Sequence, residues 1–214
     1  MPRLVDHDRR RTELVEAVWR VVLRHGVAGA SVRTVAKEAG LSVGSVRHFF
    51  ADQDELLHVA MREVARRAGT RIAADEDVRR RLAERGEPVE AVARLLEQAM
   101  PLTTDQATEA RIWFAFLTHD AADPAVDDVR RELDEDLRGL CERSVAALAE
   151  AGALGGGRDT AVETTLLWAL VDGLTLRILL DPATTPPDAA RTALRAHLRQ
   201  LAQPAVPSGA AGDP

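Results

Sequence analysis

The chain contains no tyrosine, a single cysteine and few aromatic residues of any kind. Cys141 is the only cysteine, and aromatic residues make up 3% of the 214 positions. One cysteine excludes an intramolecular disulfide and is consistent with a reducing, cytoplasmic compartment. A core with so few aromatic rings must consist mainly of leucine, valine and alanine, a composition that favours helices over sheets.

The sequence also lacks an uninterrupted apolar run. Its most apolar stretch, residues 161–180, contains Glu163, Asp172 and Arg177, which argues against a membrane span. The first residues, MPRLVDHDRRR, are charged and lead into no apolar segment, so we expect no secretory signal. We find no phosphate-binding loop, no metal-ligand spacing and no nucleophile motif. We therefore expect no cofactor, no metal, no catalytic residue and no membrane partner.

The net charge is distributed unevenly along the chain. It is −6 overall, yet residues 1–50 hold nine basic and five acidic side chains, whereas residues 51–214 hold 19 basic and 29 acidic ones. A basic end can contact the phosphates of a nucleic acid while an acidic body stays in solvent. An ordinary charged N-terminus would have the same composition, so charge alone does not decide between the two.

What the chain does contain is a helix-turn-helix pattern in residues 31–57, SVRTVAKEAGLSVGSVRHFFADQDELL. Ser31 is a favourable N-cap, because its hydroxyl can accept a hydrogen bond from a backbone N–H one turn on. Gly40 stands where the first helix must end, since glycine adopts positive φ at little steric cost. The apolar positions have the spacing of one helix face: Val32, Val35, Ala36 and Ala39. A helical hairpin without a DNA-binding role would share this periodicity.

The second short helix of the pattern carries the side chains suited to DNA. Ser42 can cap it, and Val46 and Phe50 are spaced to point inward. Its other side chains are short, polar or cationic and cannot all be buried: Ser42, Ser45, Arg47 and His48. In a helix laid in the major groove, arginine binds guanine, and serine or histidine contacts base edges or phosphate. We therefore predict a DNA-binding head over residues 1–51.

The predicted fold class is all-α, with a three-helix head and a helical-bundle body over residues 52–203. In the head, a first helix is expected over about residues 8–24 after a frayed start. Asp52 can cap a long helix, with Glu55 three residues on. Further helices are predicted over 88–100, 104–122, 124–151 and 159–180, and from 185 onward. Residues 204–214 have the composition of a disordered tail.

The helix predicted over residues 159–180 is apolar on nearly every side. Such a helix must be covered on every side, so one face can pack on its own domain while the other requires a partner. With the last helix, it could form a four-helix bundle with the same two helices of a second chain. The residues predicted at this homodimer interface are Leu170, Gly173, Leu174, Leu194, Leu198 and Leu201. The alternative is a monomer in which these residues form the core.

Residues 31–57 resemble the DNA-binding segment of the tetracycline-repressor (TetR) family of transcriptional regulators. The family pattern T-x-x-x-I-A-x-x-A-G-V-S-x-G-x-L-Y-x-H-F-x-x-K-x-x-L-L has the same spacing as the sequence quoted above. The body resembles the BetI branch of that family in two segments, PLTTDQATEARIWFAFLTHDA and LLWALVDGLTLRILLDP.

The resemblance implies an all-helical homodimer that binds a palindromic operator in double-stranded DNA and releases it when a small-molecule effector occupies the body. It places DNA contacts at Ser31, Thr34, Ser42, Ser45, Arg47, His48 and Gln53. Two departures from the family pattern matter. Arg47 replaces the usual tyrosine and supplies a charge where tyrosine supplies a hydroxyl, whereas Gln53 replaces the usual lysine and keeps a donor without the charge.

Candidate ligand contacts are large apolar residues and a few polar ones on amphipathic helices of the body. They are Met100, Trp113, Phe114, Leu117, His119, Cys141, Trp168 and Asp172. For any single one of them, an ordinary core position is the better interpretation. We predict a cytoplasmic, sequence-specific transcriptional regulator, a repressor released by a small, largely apolar ligand. The alternatives are an all-helical enzyme and a helical adaptor that binds no DNA, and DNA binding separates both from the regulator.

Overall fold

The computed structural model describes residues 2–117 and 124–203, and every regular element in these ranges is helical. In chain order the elements are α1 (Pro2–His25), a 3-10 turn (Val27–Gly29), α2 (Val32–Glu38), α3 (Val43–Arg47), α4 (Gln53–Ala74), α5 (Glu76–Glu84), α6 (Pro88–Glu97), α7 (Thr104–Leu117), α8 (Pro124–Glu150), α9 (Thr160–Leu180) and α10 (Pro187–Leu201). The predicted all-helical class is confirmed.

The helices form two compact units. Unit 1 comprises residues 1–71 and 103–135, and unit 2 comprises residues 72–102 and 136–214. These units differ from the predicted functional division after residue 51, because most of α4, all of α7 and the first part of α8 cluster with the head. Compactness and function need not divide a chain at the same residue, and the functional division stays a prediction.

Unit 1 has a core built on α1 and the helix-turn-helix pair. The side chains of Val35, Ala36, Val46 and Phe50 are at most 2% exposed, as their spacing predicted. Trp19 of α1 is also buried, and its indole N–H donates to the carbonyl oxygen of Ala60 on α4 at 3.0 Å. The core therefore fixes α2 and α3 by their inner faces and leaves their outer faces to solvent.

Helix α1 is longer than the sequence indicated. It begins at Pro2 rather than near residue 8, so the expected frayed start over residues 1–7 is wrong for residues 2–7. Proline is tolerated in the first turn of a helix, where its missing N–H has no intrahelical acceptor. The helix ends at His25, and Gly26 follows with φ 71°.

Unit 2 has a separate core formed by α6, the second part of α8, α9 and α10. Helix α5 was not predicted, because it buries no side chain and therefore shows no apolar periodicity. It follows directly on Asp75, which is 8% exposed and accepts two hydrogen bonds from Arg94 Nε, at 2.9 and 2.8 Å, and one from Nη2 at 2.7 Å. This pair ties the start of α5 to α6.

The remaining helix ends agree with the sequence within a few residues. Helix α6 ends at Glu97 rather than Met100, and α8 ends at Glu150, just before Gly152 with φ 66°. Helix α9 begins after Asp159, which caps it by accepting from the backbone N–H of Ala161 at 2.8 Å. The predicted end of α7 near residue 122 and the predicted tail over 204–214 lie outside the described residues.

One part of the predicted dimer interface is corrected by the packing of α10. Leu194, Leu198 and Leu201 are at most 1% exposed within a single chain, because α10 turns this face onto the core of unit 2. Their side chains have no surface left for a second chain. On α9, Leu170 and Leu174 are half-buried and Gly173 is exposed.

Candidate nucleic-acid interface and ligand site

Hydroxyl groups fix the start of α2. Ser31 Oγ accepts from the backbone N–H of Thr34 at 3.2 Å, and Thr34 Oγ1 accepts from the backbone N–H of Ser31 at 2.9 Å. This reciprocal pair is a capping box with threonine in the position that glutamate usually holds. The predicted N-cap at Ser31 is confirmed. Both side chains remain at least partly exposed, so a cap and a phosphate contact are compatible.

The turn into α3 is set by a glycine and a second serine cap. Gly40 has φ 66°, and the next N–H, of Leu41, donates to the carbonyl oxygen of Ala36 at 2.9 Å. This backbone bond closes the C-terminal end of α2. Ser42 Oγ accepts from the backbone N–H of Ser45 at 3.0 Å, and the two hydroxyl oxygens are 2.8 Å apart. Local hydrogen bonds thus fix the start of each short helix and the turn between them.

The structure places all seven predicted DNA-contact residues in unit 1. Those with exposed side chains are Thr34, Ser42, Ser45, Arg47 and His48. Ser31 is half-buried, and so is Gln53, the first residue of α4. Gly44 lies on α3, and a Cβ built at Gly44 would have only the Ser42 hydroxyl within 4 Å. A duplex could therefore approach the backbone of α3 closely.

The head contains a first group of basic side chains that is already neutralised by a carboxylate. Arg20 Nε lies 2.7 Å from Glu38 Oε1, and Arg24 Nη1 lies 2.8 Å from Glu38 Oε2. The hydrogen bond from Arg20 and the charges of both guanidinium groups lower the pKa of the Glu38 carboxyl. These two arginines join α1 to α2 and are already compensated.

The second group has no carboxylate partner among the described residues. Its members are exposed: Arg11, Arg33, Lys37 and Arg47. Arg33 and Lys37 were not predicted as DNA contacts. They are i and i+4 on α2 and therefore lie on the same side of that helix. The sequence could have indicated that both are exposed, because they stand between the apolar residues of α2 at helix positions that cannot face the core.

The candidate ligand residues do not form one set. Trp113, Phe114 and Leu117 belong to unit 1, whereas Met100, Cys141, Trp168 and Asp172 belong to unit 2. His119 lies outside the described residues. Met100 and Cys141 are at most 1% exposed and are packed in the core of unit 2.

Three of the unit 2 candidates share features that are unusual for a core. The indole N–H of Trp168 is buried and has no acceptor among the described residues. Asp172 follows one turn later on α9 and is half-buried. Burial, with a smaller contribution from the charge of Asp172, raises the pKa of the Cys141 thiol to about 12. An indole donor and a neutral thiol therefore belong to the apolar core of unit 2, and the Asp172 carboxylate is near enough to affect the thiol.

Unit 1 contains a polar cavity that the sequence did not indicate. Its volume is about 320 Å³, and its lining residues are Arg66, Arg67, Thr70, Arg71, Thr103, Asp105, Gln106 and Glu109. Its arginines already have carboxylate partners: Glu63 binds Arg66 and Arg67, and Glu109 lies 2.7 Å from Arg71 Nη2. The cavity therefore offers hydrogen-bonding groups without an uncompensated cation.

Two negative findings apply to the described part of the chain. It contains no group of three or more histidine, cysteine, aspartate or glutamate side chains placed to hold a metal ion. None of its helices is both long and apolar enough to cross a membrane.

A capped helix-turn-helix with exposed, uncompensated basic residues defines the class of this protein as a DNA-binding regulator. Comparison with known families agrees: residues 14–60 match the description "Bacterial regulatory proteins, tetR family", and residues 88–203 match "BetI-type transcriptional repressor, C-terminal". The chain belongs to the TetR family of transcriptional regulators, with a BetI-type C-terminal region.

Individual relatives cover nearly the whole chain. The HTH-type transcriptional regulator PksA of Bacillus subtilis is 37% identical over 94% of this chain and 94% of its own length. A BetI regulator of Burkholderia cenocepacia is 31% identical over 83% of this chain and 86% of its own length. A transcriptional regulator of Rhodococcus sp. Rha1 has a similar structure, with TM-score 0.72 and 30% identity. The similarity covers 89% of this chain and 95% of that regulator. These relatives are regulators, so the enzyme alternative is set aside.

A fourth similarity concerns the fold alone. A regulator from Saccharomonospora viridis, solved in complex with choline, superposes with TM-score 0.75 at 21% identity, covering 89% of this chain and 96% of its own. A protein of this fold therefore binds a small molecule in that case.

Proposed function

We propose that this regulator is a homodimeric repressor, acting in the cytoplasm, that binds a palindromic operator and is released by a small, largely apolar ligand. The observation that carries the DNA-binding part is the group of exposed basic residues without carboxylate partners on α1, α2 and α3. Uncompensated cations on a protein surface bind the phosphate backbone, and Arg47 on α3 is also placed for a base edge.

An exposed apolar stripe on α9 supports the dimer. Val162 and Leu166 are 54% and 51% exposed, and Ala169 and Gly173 continue the line at the next helical positions. A Cβ built on Gly173 would meet no atom within 4 Å, so the space above it is open in one chain. Helix α10 adds exposed alanines at the same spacing, Ala189, Ala193 and Ala196. Large apolar side chains and small residues in one line suit the close packing of helices from a second copy.

A two-fold dimer fits a two-fold operator. Identical surfaces that pair about a symmetry axis present two identical heads, and each head can bind one half-site. Half-sites about one helical turn apart require heads roughly 34–36 Å apart. The apolar face thus supports the dimer, and the dimer supports a palindromic target.

The ligand is proposed to bind in unit 2 beside Trp168, Asp172 and Cys141. A buried indole donor without an acceptor is costly, and an acceptor atom on a ligand would satisfy it. The surrounding leucine and methionine side chains favour a ligand that is otherwise apolar. Trp113, Phe114 and Leu117 belong to unit 1 and are not needed for this site.

Release of DNA is proposed to occur by a population shift. Helix α4 runs without interruption from Gln53 in unit 1 to Ala74 in unit 2, so it connects the head covalently to the ligand-binding unit. A ligand that binds one body conformation better than the other shifts the equilibrium by its difference in affinity. If the favoured conformation moves the heads away from one-turn spacing, affinity for the operator falls.

Fluorescence anisotropy tests the DNA-binding part. The full-length protein is titrated onto a duplex from upstream of its own gene and onto a random duplex of equal length, at two salt concentrations. Preference for the upstream duplex at the higher salt is the expected result, because non-specific phosphate contacts are lost first. An absence of binding to both duplexes at low salt would contradict the proposal.

A further inference from the structure

Three aromatic rings meet where the N-terminal end of α1 reaches the C-terminal end of α3. The His7 ring centroid is 4.6 Å from that of Phe49, with the ring planes at 37°. The same imidazole is 6.3 Å from the His48 ring at 74°, and His48 lies 5.6 Å from Phe49 at 86°. Tilted and edge-to-face contacts at these separations are favourable arrangements of aromatic pairs.

The ring cluster of His7, His48 and Phe49 contacts the end of α3, a helix that is too short to be stable without tertiary contacts. Helix α3 has five residues, and a helix this short depends on contacts with its surroundings. Ser42 fixes its first turn, and Val46 and Phe50 fix its inner face. Its C-terminal end, with His48 as C-cap, is contacted from α1 by His7.

The ring cluster lies at the surface rather than in the core. His7 and His48 are exposed and Phe49 is half-buried, whereas the neighbouring Phe50 is fully buried. Loss of the His7 ring therefore leaves the core of unit 1 intact. What it removes is a contact that limits the movement of the exposed end of α3.

We propose that His7 is a positioning residue for DNA binding. Its ring holds the C-terminal end of α3, and with it the side chains of Arg47 and His48, in the orientation that contacts the operator. This inference rests on the proposed DNA contacts of α3. His7 precedes residues 14–60, the range that matches the family, so the contact is supplied by a part of α1 outside that match.

The test uses the full chain with four variants. His7→Ala and His7→Gln remove the ring, His7→Phe keeps a ring without its nitrogens, and His25→Ala removes an exposed histidine from the opposite end of α1. The probe is a duplex that the wild-type protein enriches from a random-sequence library, with a scrambled duplex of equal length for comparison. Dissociation constants and melting temperatures are measured for each protein.

Loss of the ring is expected to weaken binding to the enriched duplex by about threefold to tenfold, the range that one aromatic pair supplies. Binding to the scrambled duplex and the melting temperature should change little. His7→Phe should restore the affinity, and His25→Ala should bind like wild type. If His7→Ala fails to fold, the comparison of His7→Gln with His7→Phe carries the same test.

Three results would overturn the inference. His7→Ala and His7→Gln could bind the enriched duplex as wild type does, which would show that the ring positions nothing. Both duplexes could be weakened equally with no rescue by His7→Phe, which would make His7 a direct phosphate contact. If the wild-type protein enriches no sequence at all, the proposed DNA-binding function fails, and this inference fails with it.

Discussion

The outer faces of α2–α3 and of α9–α10 are both exposed, but they differ in the kind of side chain that lacks a partner. On α2 and α3 the exposed groups are hydroxyls and cations, and Arg33, Lys37 and Arg47 have no carboxylate partner among the described residues. On α9 the exposed stripe of Val162, Leu166, Ala169 and Gly173 is apolar, and Val162 and Leu166 are 54% and 51% exposed.

This difference predicts different partners for the two faces. Uncompensated cations are satisfied by a polyanion, whereas exposed apolar area is satisfied by another apolar surface. The same chain also shows compensated versions of both features, in the Arg20–Glu38–Arg24 cluster and in the buried face of α10. What a segment binds is therefore indicated by what the chain itself leaves unpaired, more than by composition.

The largest expected effect comes from placing a charge on the apolar stripe. Leu166→Glu should turn the dimer into a monomer at micromolar concentration, because a carboxylate buried at an apolar interface lacks a partner. Val78→Glu is the matched control, since Val78 is 41% exposed on α5, away from the stripe. Light scattering gives the mass of each variant. A Leu166→Glu protein that remains dimeric would remove α9 from the proposed interface.

A smaller effect is expected from removing one cation of the head. Arg47→Ala should weaken operator binding by roughly tenfold to a hundredfold, within the range of one specific arginine contact. Arg81→Ala makes the same charge change at an exposed arginine of α5 and should leave binding unchanged. Equal affinities for the two variants would show that net charge, rather than the position of Arg47, determines binding.

The smallest expected effect is on the stability of the head, when Glu38 no longer pairs with Arg20 and Arg24. Because its folded pKa is lowered, Glu38 stabilises the head above the ordinary carboxyl value of 4.5, and this contribution is lost as the pH falls through the lowered pKa. Glu38→Gln should therefore melt below wild type at pH 7, with the gap closing in acid. Glu142→Gln, at an exposed glutamate of α8, is the control. A gap that is independent of pH would mean that the arginine pairs do not supply the stability.

The sequence predicted best where local signals determine structure. The caps at Ser31 and Ser42 and the turn at Gly40 were all predicted, because a hydroxyl or a glycine acts within a few residues of itself. The start of α1 at Pro2 was missed, and so was the contact of His7 with Phe49, which joins residues more than forty positions apart. Apolar spacing on α10 indicated a buried face but not whether its own chain or a partner covers that face.

The candidate site follows the same division. Arg47 and His48 could be predicted as exposed because the apolar residues of α3 leave no other face for them. Whether a basic residue is already paired could not be predicted, since Glu38 reaches α1 only in the folded head. The ligand candidates were chosen by residue type, and residue type does not show that they lie in two units.

The most direct test of this account is the mass of the protein, alone and with an enriched duplex, by light scattering as salt is raised from about 50 mM to about 200 mM. Contacts with phosphates weaken steeply over this range, whereas apolar packing does not. We expect two chains per particle at both salt concentrations and a large loss of DNA affinity at the higher one. Dissociation of the chains by salt, or DNA binding that salt does not weaken, would contradict it.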